Sequence, residues 1–188
     1  MMLLRTIRLD ASDAVIFAPA AAPGEWAVPG TFLFAGRDPA SLDRKQQIAF
    51  RSGFLGVESF GHSTLACVTP ATEAERDAAI EALARGLVAH LGAPDLATAR
   101  PAASEEIMLA ADLCRGQGEG RLIALHRGFE DGQIHERFRS LRPRDETLFG
   151  GRDLAGHDRA FHIVESDEED GPALSLADLA GQKGGADA

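Results

Sequence analysis

"LIALHRGFEDGQIHERFRSL" (residues 122–141) contains two alternating runs on either side of Asp131-Gly132. A two-residue hairpin turn needs positive φ at both central positions, which Gly accepts freely and Asp tolerates. Centring the turn there fixes the register. Glu130 faces Gln133, Phe129 faces Ile134, Gly128 faces His135, Arg127 faces Glu136, His126 faces Arg137, Leu125 faces Phe138, Ala124 faces Arg139 and Ile123 faces Ser140. Side chains alternate across a strand. One face therefore carries Ile123, Leu125, Arg127, Phe129, Ile134, Glu136, Phe138 and Ser140. The other carries Leu122, Ala124, His126, Gly128, Glu130, Gln133, His135, Arg137, Arg139 and Leu141. Burial of the large apolar groups, at roughly 25 cal/mol per Å² of apolar surface, sends the first face inward. Arg127 and Glu136 then form an ion pair at the edge of the core. Gly128 is the one position at which a bulge would shift this facing.

Working outward, "LLRTIRL" (3–9) alternates as a strand, and "AVIF" (14–17) and "TFLF" (31–34) read as the next two strands. Between them "APAAAPGEWAVPG" is a Pro/Gly-punctuated segment with a turn at Pro29-Gly30. Asp38-Pro39 opens a helix, with Asp as N-cap and Pro in the first turn, and Gly53 ends it. "STLACVTP" (63–70) is a strand. Thr72 and Glu75 have capping-box spacing. The stripe Ile80, Leu83, Ala84, Leu87, Val88, Leu91 runs from there to Gly92, which stops the helix. A further helix spans about Ser104 to Cys114, with Ile107, Ala110, Ala111 and Cys114 as its buried line. "RGQGEGR" turns into the hairpin, and "RAFHIVE" (159–165) adds a last strand. This order predicts an α+β fold: a two-layer sandwich, mainly antiparallel sheet with helices on one face. It forms a single domain over residues 1–165. The acidic, Gly/Ala-rich remainder, 166–188, reads as a mostly disordered tail with a short helix near Leu174–Leu179.

The chain of 188 residues is 45% hydrophobic, enough for one core without metal or disulfide staples. Its formal charge is −10, and much of that is local. Glu165, Asp167, Glu168, Glu169, Asp170, Asp178 and Asp187 face only Lys183 in the tail. The body is mildly acidic, which disfavours nucleic acid as a partner, because phosphate contacts need a positive field. Cys67 and Cys114 have no CxxC spacing and read as reduced, buried thiols of a cytoplasmic protein. The first residues carry too short an apolar run for a signal peptide, and no stretch reaches bilayer length, so no membrane association is expected.

Familiar chemistries do not fit the motifs. His126, His135, His157 and His162 lack metal-ligand spacing, so no metal and no cofactor is expected. "GQGEG" (116–120) lies between a helix and a strand, the reverse of a phosphate loop. Arg127-Gly128-Phe129 starts like an RNA-recognition core but runs into a turn. Ser63 beside His62 points to the opposite face of a strand, and no GxSxG elbow occurs. Cys67 has no basic neighbour in sequence. No catalytic residue is therefore assigned. Trp26, the only tryptophan, is either a core residue or an exposed anchor of an interface.

The candidate contact residues are His126, His135, Arg137 and Arg139 on the outer hairpin face, with Trp26. Such a cationic face suits a small anion or an acidic protein partner; the ordinary alternative is a solvated sheet face. The acidic tail is placed to screen it when no partner is bound. A competing expectation is a small enzyme acting on an anionic metabolite, with His126 or His135 as acid/base and the two arginines holding the anion. The runs "LLRTIRLDASD", "PGEWAVPGTFLF", "FRSGFLGVESFG" and "HRGFEDGQIHERFRSLRPRDE" resemble a bacterial family defined only as a domain of unknown function. The resemblance implies an accessory role for molybdenum-dependent oxidoreductases such as formate dehydrogenase.

Overall fold

A computed structural model describes residues 1–8 and 11–141. The expected strand at 159–165 and the tail from 166 lie outside the described residues. The central strand β1 (Met2–Ile7) pairs with β2 (Trp26–Val28) on one side and β5 (Leu65–Pro70) on the other. With β3 (Phe54–Gly56), β4 (His62–Ser63), β6 (Leu122–Glu130) and β7 (Gln133–Leu141), the sheet runs β4-β3-β2-β1-β5-β6-β7. Every pairing between these strands is antiparallel, and the sheet curls into a half-barrel, an α+β fold.

Two short runs differ from their sequence reading. "AVIF" falls largely in a short helix, α1 (Ser12–Ile16), because Asp13 turns inward. Its carboxylate accepts from the Thr64 hydroxyl at 2.6 Å and the Thr64 N–H at 3.3 Å. "TFLF" is a 3-10 turn, Thr31–Phe34. Gly30 before it has φ +73°, which ends the extended chain, and Thr31 and Phe34, three residues apart, share the buried side. The strand of this region is instead β2, within the segment that reads as a loop.

The helices are better marked locally. The 38–53 helix is two pieces. Asp38 caps a 3-10 turn at Pro39–Ser41, and Asp43 with Gln46 forms a capping box opening α2 (Arg44–Ser52). In α3 (Glu73–Leu91), Thr72 and Glu75 make the expected box and Gly92, at φ +72°, ends the helix. α4 (Leu96–Leu113) begins earlier than its sequence reading, capped by Asp95. Its apolar line Ala99, Ala103, Ile107, Ala110 passes Pro101, which sits exposed on another side. α3 packs on α4, and α4 lies against β1 and β2.

The hairpin β6–β7 has the register derived from its turn, pair for pair, with Asp131 at φ 52° and Gly132 at φ 77°. Gly128 faces His135 with no bulge, and a Cβ built there meets no atom within 4 Å. Gly128→Thr is therefore expected to stabilise the fold by about 0.5–1 kcal/mol, by restricting the unfolded chain and supplying a β-branched side chain. A lower urea midpoint for the variant would show that this position needs glycine for another reason.

β6 pairs with β5 only over Leu122–Ala124. Beyond that, α2 packs along β6 and a second apolar cluster, Phe17, Phe34, Leu42, Ala49 and Phe50, fills the mouth of the curl. The hairpin tip thus stands at the opening of the half-barrel, with one face turned into it and one turned out.

Candidate binding surfaces of the hairpin

A buried guanidinium has five N–H donors that must all find acceptors. Arg127, 1% exposed, shows how far this is met. Its Nε donates to Glu136 Oε1 and to Thr31 Oγ1, both at 2.9 Å. Its Nη1 donates to the carbonyls of Phe50 and Gly53, each at 3.1 Å, and Ala49 at 3.4 Å. Its Nη2 donates to the Pro29 carbonyl, and the Thr31 hydroxyl donates to Glu136. One side chain on β6 therefore ties the last carbonyls of α2 to the ends of β2 and β3, which bolts the curl. The sequence reading places this ion pair at the edge of the core; it lies within it, with both side chains at most 5% exposed.

The outward face carries His126, Arg137 and Arg139, all exposed, with His135 half-buried. His126 faces Arg137, and His135 is its diagonal neighbour beside Gly128. These four residues are brought together as their alternation requires. At the base of the same face Leu122 and Leu141 are buried with Leu65, so the cationic stripe borders an apolar cluster. Packing of α2 on β6 adds two groups the hairpin sequence does not announce. Arg51 and Gln47 join His126 in a cleft of about 490 Å³, floored by Phe50. Nothing in the local pattern of α2 signals this, since it depends on which strand the helix covers.

Trp26 is not part of this surface. It is 6% exposed in β2, with the Arg5 guanidinium 3.6 Å from its ring centroid. The reading as an exposed anchor is thereby corrected: β2 pairing carries the indole into the core, and the cation covers its remaining face.

The side chains considered for nucleophilic or metal chemistry are held otherwise. The Ser63 hydroxyl lies 3.0 Å from the Ile7 carbonyl and 2.9 Å from the Leu65 carbonyl. His62 sits between Phe17 and Phe34, its Nε2 buried without a hydrogen-bond partner among the described residues. Burial, aided by the Arg127 charge, lowers its pKa to about 4. Burial raises the Cys67 thiol and pushes Cys114 up to about 12, away from reactive thiolate. Among the described residues no group of three or more His, Cys, Asp or Glu could hold a metal ion; His157 and His162 lie outside them.

On the inward side, a cavity of about 700 Å³ lies between the Thr31–Asp38 segment, α4 and the hairpin tip. Phe32, Leu109, Phe129 and Ile134 give it apolar walls, and Glu106 and Glu136 line it. Glu106 Oε2 is buried with no hydrogen-bond partner among the described residues. Burial first, then the nearby Glu136 charge, raises the Glu106 pKa to about 7.

These features define a small α+β domain whose hairpin presents a cationic outer face and an acid-lined inner cavity. The chain belongs to the family of unknown function DUF6505, whose model matches residues 1–161. Neither curated proteins nor solved structures give a match. Among the described residues no helix is long and apolar enough to cross a membrane.

Proposed function

We propose that the protein is a non-catalytic binding or accessory protein that contacts an anionic ligand or an acidic protein partner through the outer face of β6–β7. The observation that carries this reading is the common exposure of His126, Arg137 and Arg139 on one register-locked face in a chain of net charge −10. Exposed guanidiniums on a rigid sheet steer and orient a negative partner. The cleft shared by Arg51, Gln47 and His126 favours an acidic protein segment over a free ion, because it extends the contact beyond the strand face.

The enzymatic alternative, with His126 or His135 as acid/base, draws less support. His135 lines neither described cavity, and His126, which borders the cleft with Arg51 and Gln47, is exposed. An accessory role for a molybdenum-dependent oxidoreductase is a narrower form of the leading reading and rests on sequence resemblance alone.

The test is co-purification from the native host with the unaltered protein and with Arg137→Glu/Arg139→Glu as baits. The expected result is a partner retained at low salt by the first and lost by the second. Equal recovery of the same proteins by both baits would remove the outer face as the contact surface.

A further inference from the structure

We propose that the cavity between the Thr31–Asp38 segment, α4 and the hairpin tip is a binding site for a small organic cation: an apolar body carrying a primary ammonium, held by the Glu106 carboxylate. This site is separate from the outer hairpin face and stands or falls independently of the function proposed for it.

Of the three carboxylates that line the cavity, Asp38 is exposed, and Glu106 and Glu136 differ in their partners. Glu136 Oε1 accepts from both Arg127 and Thr31. Arg127 in turn has its nitrogens committed to Glu136, Thr31 and the carbonyls of Pro29, Ala49, Phe50 and Gly53. None of these bonds goes to Glu106. Among the described residues Glu106 therefore has no ion-pair partner, and its Oε2 has no hydrogen-bond donor. A buried acceptor without a partner keeps its desolvation cost uncompensated, and a ligand donor recovers it on binding. The terminal torsion of Glu is soft, so a small rotation turns the carboxylate from the wall toward the cavity.

The walls decide the rest of the ligand. Phe32, Leu109, Phe129 and Ile134 offer apolar contact, and Phe129 is 41% exposed although it lies on the inward face of the hairpin. A volume of about 700 Å³ lies within the ordinary range for small-molecule sites. Apolar walls converging on one uncompensated acid complement an amine with an aryl or alkyl body. A carboxylate ligand would meet repulsion from Glu106 at the half-buried side of the cavity, while Arg37, the cation of the lining, is solvent-exposed and flanked by Asp38. Burial first, then the Glu136 charge, raises the Glu106 pKa to about 7, in keeping with an acid that has no ion pair of its own.

The test uses 2-phenylethylamine as the probe, titrated into the full-length, isotope-labelled protein at pH 8 and followed by backbone amide shifts. Phenylacetate and 2-phenylethanol serve as the anionic and neutral counterparts. The expected result is saturable binding of the amine with a Kd on the order of 1–10 mM, as suits a fragment of this size. Thr31, Phe129 and Ile134 should shift, and each counterpart should bind at least about tenfold more weakly. Glu106→Gln should weaken the amine by a similar factor while keeping the native spectrum. Leu109→Trp, which fills the cavity and spares the acid, should abolish binding. Absence of saturation, equal binding of phenylacetate or 2-phenylethanol, or undiminished binding by either variant would overturn the assignment.

Discussion

Arg127→Met is expected to destabilise the protein by at least about 3–5 kcal/mol, the range for removing one partner of a buried ion pair. The loss has two parts. Glu136 is left buried beside Thr31 without its cation. The carbonyls of Pro29, Ala49, Phe50 and Gly53, at the end of β2 and along the passage from α2 into β3, lose their common donor. Domains are stable by about 5–15 kcal/mol, so this one change removes a large share of the total. Glu136→Gln separates the parts. It removes the negative charge, keeps a carbonyl acceptor for Arg127 Nε, and leaves the backbone contacts of Nη1 and Nη2 in place. It leaves the Arg127 charge without its counter-ion but still ligated by backbone carbonyls, so its cost should be smaller, about 1–3 kcal/mol. Urea unfolding of both variants decides the matter. Equal costs would mean that the ion pair, and not the ligation of four backbone carbonyls, is what Arg127 contributes.

The second large effect concerns pH, and it is concealed in the unaltered protein because two buried groups oppose each other. Glu106 has its pKa raised from 4.5 to about 7, by burial first, then Glu136 and Glu105, with Arg127 opposing. The folded state therefore holds a proton that the unfolded chain has released. The associated stability is full below pH 4.5 and is lost as pH rises through 7. His62 has its pKa lowered from 6.5 to about 4 by burial and by Arg127. There the unfolded chain takes the proton first. That stability is full above pH 6.5 and is lost as pH falls toward 4. Each shift corresponds to about 3 kcal/mol at 1.36 kcal/mol per pKa unit. Between pH 4.5 and 6.5 the two slopes cancel.

Removing either group exposes the other. Glu106→Gln should make the protein more stable than the parent at pH 8, yet lose about 2–3 kcal/mol on going from pH 7 to pH 4.5. His62→Phe, which keeps an aromatic ring between Phe17 and Phe34, should show the reverse, with stability falling by a similar amount from pH 4.5 to pH 7.5. The measurement is the denaturant midpoint at five or six pH values for the parent and each variant. Parallel curves for all three proteins would show that neither group titrates as its surroundings dictate.

What was legible in the residues was what local chemistry governs. Asp131-Gly132 admits one tight turn, that turn admits one register, and the register assigns every side chain of 122–141 to a face. Thr72, Glu75 and Gly92 mark both ends of α3 by hydrogen bonds within a few residues. The cationic outer face followed from alternation alone. At its ends the alternation gave way to position. Phe129 is exposed because the tip projects past the core, and Leu122 is buried because β5 and β7 flank it at the base.

The remainder belonged to the tertiary structure, because it depends on which distant segments meet. "TFLF" has strand composition, but Gly30 and the pocket awaiting Thr31 and Phe34 make it a 3-10 turn. Trp26 lies in a segment with the composition of a loop, yet pairing with β1 takes it inside. Arg51 lines a cleft with His126 only because α2 packs along β6, and Glu106 lines a cavity only because α4, the Thr31–Asp38 segment and the hairpin tip border the same space. Backbone hydrogen bonds within a turn or a cap are set by neighbours in the chain. Burial, charge compensation and cavities are set by the closure of the whole sheet, and no short window of residues contains that information.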